Sequence, residues 1–116
     1  MSDIKKLIKR IIDFRDARDW KQFHNPKDLA ISLCLESTEV LEHFQWKNGQ
    51  ELEEYVKTNK EHISEELADV LYWILLMSHD LDIDIAEALS KKMDKNEEKY
   101  AVEKAKGNHK KYTELK

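Results

Sequence analysis

Apolar residues recur at helical spacing along most of the chain. Ile4, Leu7, Ile8, Ile11, Ile12 and Phe14 make one stripe, which predicts a first helix over about residues 3–20. Arg10, Arg15 and Arg18 fall among its polar positions. The segment from Asp19 to His24 ends that helix and leads into a turn. A second helix opens at Asn25-Pro26-Lys27-Asp28, where Asn caps, Pro suits the first helical position and Asp complements the dipole. It is expected to reach about Trp46, with Asn48-Gly49 as its stop. Residues 50–57 read as a short helical connector. Thr58-x-x-Glu61 reads as a capping box for a third helix running to about His79. A last long helix begins near Asp82 or Asp84 and continues towards Tyr100. Gly107 breaks the pattern. Residues 108–116 form a polar tail, in which Tyr112 is a candidate to dock.

Two places break the amphipathic rule. From Val70 to Met77 the third helix is apolar on every side, and such a helix is normally buried all round. A four-helix monomer does not easily cover it, so a subunit interface is inferred along this helix. The second break is Glu36, which follows Leu29 and Leu33 and precedes Val40 on the apolar stripe of the second helix. A buried carboxylate is costly unless it is paired or bound to a metal.

Glu36 is part of Glu36-x-x-Glu39, and the third helix carries Glu66-x-x-Asp69 just before its all-apolar stretch. Residues three apart share a helix face, so each pair aims two carboxylates in one direction. With 24 acidic residues in the chain, either pair alone arises readily by chance. If the two helices are antiparallel neighbours, all four groups converge. Like charges ~4 Å apart repel by about 4 kcal/mol at an effective dielectric of ~20, so such a cluster needs cations or raised pKa values. Oxygen donors without His or Cys favour Mg²⁺, with Mn²⁺ as a substitute, over Zn²⁺. A di-iron site needs Glu-x-x-His, and none of the five histidines has Glu three residues before it.

Composition narrows the class. The chain has 116 residues, two Gly and one Pro, and reads as one all-α domain, residues 1–107, followed by the tail 108–116. A core of this size makes self-association plausible. A net charge of −4 lacks the basic footprint of a nucleic-acid binder. The longest apolar run is far short of a membrane span, and there is no phosphate-binding Gly-x-x-x-x-Gly-Lys loop. The N-terminus reads as having no secretory leader, and the single cysteine, Cys34, allows no internal disulfide. A cytoplasmic protein is expected, with Cys34 as inert core filler among Ile31, Leu33 and Leu41.

The motifs also carry a resemblance. Glu36-x-x-Glu39 followed by Glu66-x-x-Asp69 resembles the signature of MazG-like nucleoside triphosphate pyrophosphohydrolases, of the all-α NTP pyrophosphatase superfamily. Arg18-Asp19-Trp20-Lys21-Gln22-Phe23-His24, Phe44-Gln45-Trp46-Lys47, Glu65-Glu66-Leu67-Ala68-Asp69, Ser90-Lys91-Lys92-Met93-Asp94-Lys95-Asn96 and Lys111-Tyr112-Thr113-Glu114-Leu115 are most similar to the dCTP pyrophosphatase branch. The resemblance implies a four-helix MazG fold with a short connector helix, assembled as a homo-oligomer, with a tetramer favoured over a dimer. It implies Mg²⁺-dependent cleavage between the α- and β-phosphates, giving a nucleoside monophosphate and pyrophosphate. Its substrate would be dCTP or a modified relative, removed to cleanse the nucleotide pool. Glu36, Glu39, Glu66 and Asp69 would be the catalytic and metal-binding residues. Trp20, His24 and Trp46 match substrate-contacting positions, and Trp46 lies seven residues after Glu39, on the expected continuation of the same helix face. The family's substrate-contacting Tyr aligns with Trp73, with Tyr72 one residue earlier. Lys92, Lys95 and Asn96 are candidates to face the polyphosphate. Hydrolysis of another pyrophosphate, such as dUTP or phosphoribosyl-ATP, and a non-enzymatic helical interaction protein are the alternatives.

Overall fold

The computed structural model describes residues 1–115. Among them there are six α-helices and no strand: α1 Asp3–Ala17, α2 Pro26–Phe44, α3 Gly49–Thr58, α4 Lys60–Asp80, α5 Ile85–Lys99 and α6 Val102–Ala105. Short 3₁₀ turns occupy Lys21–Phe23 and Tyr112–Glu114. The all-α expectation holds. The chain forms two compact units that meet in sequence at Asp82 and Ile83.

In the first unit α4 is the organising helix. It packs most extensively on α2, and also on α1 and α3. Leu29 of α2 and Leu75 and Leu76 of α4 are fully buried, and each contributes about 1.5–3 kcal/mol by removal from water. Arg15 of α1 is equally buried, 1% exposed, against the expectation of a polar-face residue. Its guanidinium donates to both carboxylate oxygens of Asp80, at 2.7 and 2.8 Å. This forked ion pair joins the C-terminal turns of α1 and α4.

Several helix ends differ from the sequence reading, for local reasons. The first helix stops at Ala17, three residues early. Asp19 takes a left-handed φ of 53°, and the Trp20 N–H returns to the Arg15 carbonyl. The Asn25 cap forms as expected, its side chain accepting from the Asp28 N–H at 2.9 Å. The second helix ends at Phe44, not Trp46. Trp46 itself turns left-handed, φ 69°, a conformation bulky residues seldom adopt. Gly49 is also left-handed, φ 55°, but it opens α3. The Thr58-x-x-Glu61 box does not form. The Thr58 hydroxyl bonds back to the Glu54 and Tyr55 carbonyls of α3, and Asn59 caps α4 without a side-chain bond. Only Asn59 separates α3 from α4, so Thr58 is consumed by the helix it ends.

The all-apolar stretch of α4 is only partly covered. Leu71 is exposed, as is Leu67 one turn before it. Ile31, Leu35 and Leu41 of α2 are exposed as well. Cys34 is exposed rather than core filler, because it lies on the side of α2 turned away from Leu29. In the second unit Asp84 caps α5 by accepting from the Glu87 N–H at 3.1 Å. Tyr112 docks edge-on against Tyr100, ring centroids 6.1 Å apart, with the Lys99 ammonium 4.7 Å from its ring centre. No helix among the described residues is long and apolar enough to cross a membrane.

Candidate active site

The packing of α2 on α4 brings the two acidic pairs together. Glu36, Glu39, Glu66 and Asp69 each offer one carboxylate oxygen, all within 4.8 Å of one another. Glu36 and Glu66 are half-buried, whereas Glu39 and Asp69 are exposed. One buried oxygen on Glu36 and one on Glu66, Oε2 in each case, has no hydrogen-bond partner. Buried acceptors are ordinarily satisfied, so two orphaned oxygens in one acidic cluster mark a place for a cation.

The electrostatics agree. Burial raises the Glu36 carboxyl above its ordinary value, reinforced by Glu39 and Asp69; the Trp73 indole opposes the rise. Glu66 is raised chiefly through its hydrogen bond to Glu39, then by burial and by the charges of Glu39, Asp69 and Glu36. Hard oxygen donors without nitrogen or sulfur fit Mg²⁺ or Mn²⁺. The cluster therefore suits a divalent ion by donor chemistry, by its orphaned atoms and by its charge.

The carboxylates stand between two clefts of different character. Glu36 and Asp69 look into one of about 480 Å³, walled by Leu7, Ile11, Phe14, Trp20, Tyr72 and Trp73, with Arg10 also lining it. Glu39 and Glu66 look into another, of about 370 Å³, completed by Glu42 and His43. His43 shares a 2.6 Å hydrogen bond with the Tyr55 hydroxyl, which ties α3 to this side of α2. The first cleft is aromatic and apolar; the second is polar. A ligand with a flat ring at one end and charged groups at the other matches this division.

The aromatic wall is built edge to face. Phe14 meets Trp20 at 5.7 Å and Tyr72 at 6.4 Å, and Tyr72 meets Trp73 at 5.0 Å with an interplanar angle of 86°. The Arg18 guanidinium covers the Phe14 ring at 3.8 Å. Burial raises the Tyr72 phenol, so it is a neutral hydroxyl at physiological pH.

The expected site residues are thus distributed as follows. Trp20, Tyr72 and Trp73 line the cleft that holds Glu36 and Asp69. His24 stands behind Trp73, ring centroids 5.7 Å apart, and lines a separate cleft of about 350 Å³ with Lys21, Asn25, Pro26, His79 and Asp80. Trp46 is outside the helix and 87% exposed, so it does not continue the Glu39 face as the spacing implied. Lys92, Lys95 and Asn96 lie on α5, in the second unit. The sequence reading missed the α1 residues Leu7, Arg10, Ile11 and Phe14 as cleft lining. Leu7, Ile11 and Phe14 were visible as a stripe but read as core, and Arg10 was read as a polar-face residue.

Comparison with known proteins bears on the same features. A model of the MazG-like family matches residues 31–115, a span that contains all four carboxylates. The chain belongs to the MazG-like family. dCTP pyrophosphatase 1 of Mus musculus is 36% identical, over 99% of this chain and 67% of its own length. The protein of the same name from Homo sapiens is 34% identical over the same shares. Among solved structures, a pyrophosphatase from Archaeoglobus fulgidus superposes with a TM-score of 0.82 at 38% identity, over 87% of this chain and 94% of that one. The MazG-like match begins within α2, so α1 and the Trp20 turn lie outside it. The dCTP pyrophosphatase alignments extend over both.

Proposed function

We propose that this MazG-like protein is a Mg²⁺-dependent nucleoside triphosphate pyrophosphohydrolase, cleaving between the α- and β-phosphates to release a nucleoside monophosphate and pyrophosphate. The observation that carries the reading is the convergence of Glu36, Glu39, Glu66 and Asp69 within 4.8 Å, with two buried oxygens unpartnered. The names of the dCTP pyrophosphatase relatives and of the archaeal pyrophosphatase support the reaction class. They also support dCTP or a modified dCTP as the preferred substrate.

Glu36, Glu39, Glu66 and Asp69 would hold the divalent ions. Bound there, such ions neutralise polyphosphate charge and lower the pKa of water, the two needs of a phosphoryl displacement. Glu39 is the carboxylate we assign to orient the attacking water and take its proton, because it is exposed on the polar side of the cluster. Water oxygen bonds to the α-phosphorus as the bond to the bridging oxygen breaks and pyrophosphate leaves. Trp20, Tyr72 and Trp73 hold the nucleoside in the apolar cleft, where stacking contributes about 1–3 kcal/mol per base. His24 contributes a hydrogen bond to the nucleotide, and Trp46 a further stacking ring. The functional domain is residues 1–107, with 108–116 as a tail, acting in the cytoplasm as a housekeeping enzyme of the nucleotide pool.

The test is pyrophosphate release by purified protein with Mg²⁺ across a panel of dCTP, 5-modified dCTP, the other triphosphates, dUTP and phosphoribosyl-ATP. The expected result is highest kcat/KM for dCTP or its modified form. Absence of turnover on every member overturns the reaction class; preference for dUTP or phosphoribosyl-ATP overturns only the base assignment.

We also infer a homo-oligomer, a tetramer or a dimer. Exposed Ile31, Leu35 and Leu41 on α2 and Leu67 and Leu71 on α4 support self-association, since scattered single apolar residues are common but several on two adjacent helices are not. Light scattering at micromolar concentration is expected to give a multiple of 13.8 kDa, and a monomer there contradicts the inference.

A further inference from the structure

The reaction proposed above makes no use of the buried ion pair, yet Arg15 and Asp80 are the most elaborate polar structure away from the carboxylates. Arg15 is 1% exposed and grips Asp80 through both terminal nitrogens. Its Nη1 also lies 3.3 Å from Nδ1 of His24. The His24 ring in turn stands edge-on to Trp73, which lines the cleft of Glu36 and Asp69.

The chemistry of this contact decides which nitrogen of His24 carries a proton. A guanidinium only donates; it has no acceptor. Nδ1 therefore accepts, and must be without a proton. The proton of the neutral ring then sits on Nε2. Asp80 keeps Arg15 in place, so the guanidinium cannot swing away to let Nδ1 reprotonate.

We propose that the Arg15–Asp80 pair is a positioning device that holds His24 in its Nε2–H tautomer, so that His24 offers the nucleotide a fixed hydrogen-bond donor and not a titrating cation. This rests on the reading of His24 as a substrate-contacting residue. The ligand atom recognised is an acceptor oxygen, on a phosphate or on the edge of the base. The charged groups around the ring are Arg15 from α1, Asp28 from α2 and Asp80 from α4, with Lys21 and His79 lining the same cleft. Burial, and then Arg15, hold the imidazole below its ordinary value against the opposing pull of Asp80 and Asp28.

A purely structural ion pair predicts something different. Buried pairs are often replaced by apolar residues of similar volume with no loss of stability. The double variant Arg15→Met/Asp80→Leu therefore separates positioning from folding. Nitrogen-15 NMR of the histidines in the wild-type protein is expected to show His24 neutral and protonated on Nε2 at neutral pH, titrating below a free imidazole. In the double variant, folded by circular dichroism, His24 is expected to become a mixture of tautomers that still titrates below a free imidazole, because its burial remains. KM for dCTP with Mg²⁺ is expected to rise about tenfold, with kcat changed by less than about twofold, the size of one lost well-placed hydrogen bond. Arg15→Lys, which keeps a donor-only cation, is expected to preserve both the tautomer and KM.

A proton on Nδ1 in the wild type, or an imidazolium at neutral pH, overturns the proposal without reference to activity. So does a folded double variant with unchanged KM, or an Arg15→Lys protein in which the tautomer is lost. A wild-type protein that hydrolyses no nucleotide instead sinks the reaction class, and the NMR result then decides the tautomer by itself.

Discussion

Glu36→Gln is expected to lower turnover by at least about a hundredfold while raising the melting temperature of the metal-free protein at about pH 7.5. The two effects share one cause. Glu36 has a buried unpartnered oxygen and lies against other carboxylates, so its ionised form is unfavourable in the folded chain. A carboxyl whose folded pKa is raised above its unfolded value of about 4.5 destabilises the fold at any pH above the folded pKa. That penalty disappears as pH falls below the unfolded value. At neutral pH the amide removes it, and at the same time removes a ligand oxygen. Asp69→Asn is expected to share the loss of turnover. Calorimetry without metal and pyrophosphate release with metal read the two effects separately. A Glu36→Gln protein that keeps wild-type turnover would falsify the catalytic assignment of the cluster.

Mg²⁺ is expected to raise the wild-type melting temperature, by roughly 10 °C when free ion exceeds Kd a hundredfold, equivalent to about 2.7 kcal/mol. The rise should be larger near pH 7.5 than near pH 5, because protons on Glu36 and Glu66 compete with the ion at the lower pH. The acidic arm has to stay above about pH 4.5. Arg15 holds the Asp80 carboxyl below its ordinary value of 3.8, so that pair contributes stability above that value and loses it as pH falls further. Thermal scans at the two pH values, with and without the ion, measure the difference. A helical interaction protein without a metal site shows no shift at either pH, and Glu36→Gln should reduce the shift at both.

Much of this site is written locally. A glutamate on an apolar stripe, a second acidic pair ahead of an all-apolar run and the Asn25 and Asp84 caps each show within a few residues, and the structure forms each of them. The ion pair does not show locally, since Arg15 and Asp80 are 65 residues apart. Yet the rule that singled out Glu36 applies to Arg15 also. It follows Ile4, Ile8 and Ile11 by steps of four, three and four, which places a charge on the buried side of α1. The Thr58 box failed because a hydroxyl has two helices to choose from when one residue divides them. Trp46 was misplaced because a helix stop was assigned to the glycine in sight, while the chain reversed three residues earlier on an aromatic.

That reversal leaves an indole almost wholly in water beside two others that are partly shielded. Trp46 should dominate the red edge of the protein's fluorescence, and Trp20 and Trp73 should emit further to the blue. The chain therefore carries three indoles in different surroundings, and the change in each emission on adding nucleotide reads which of the rings meets the ligand.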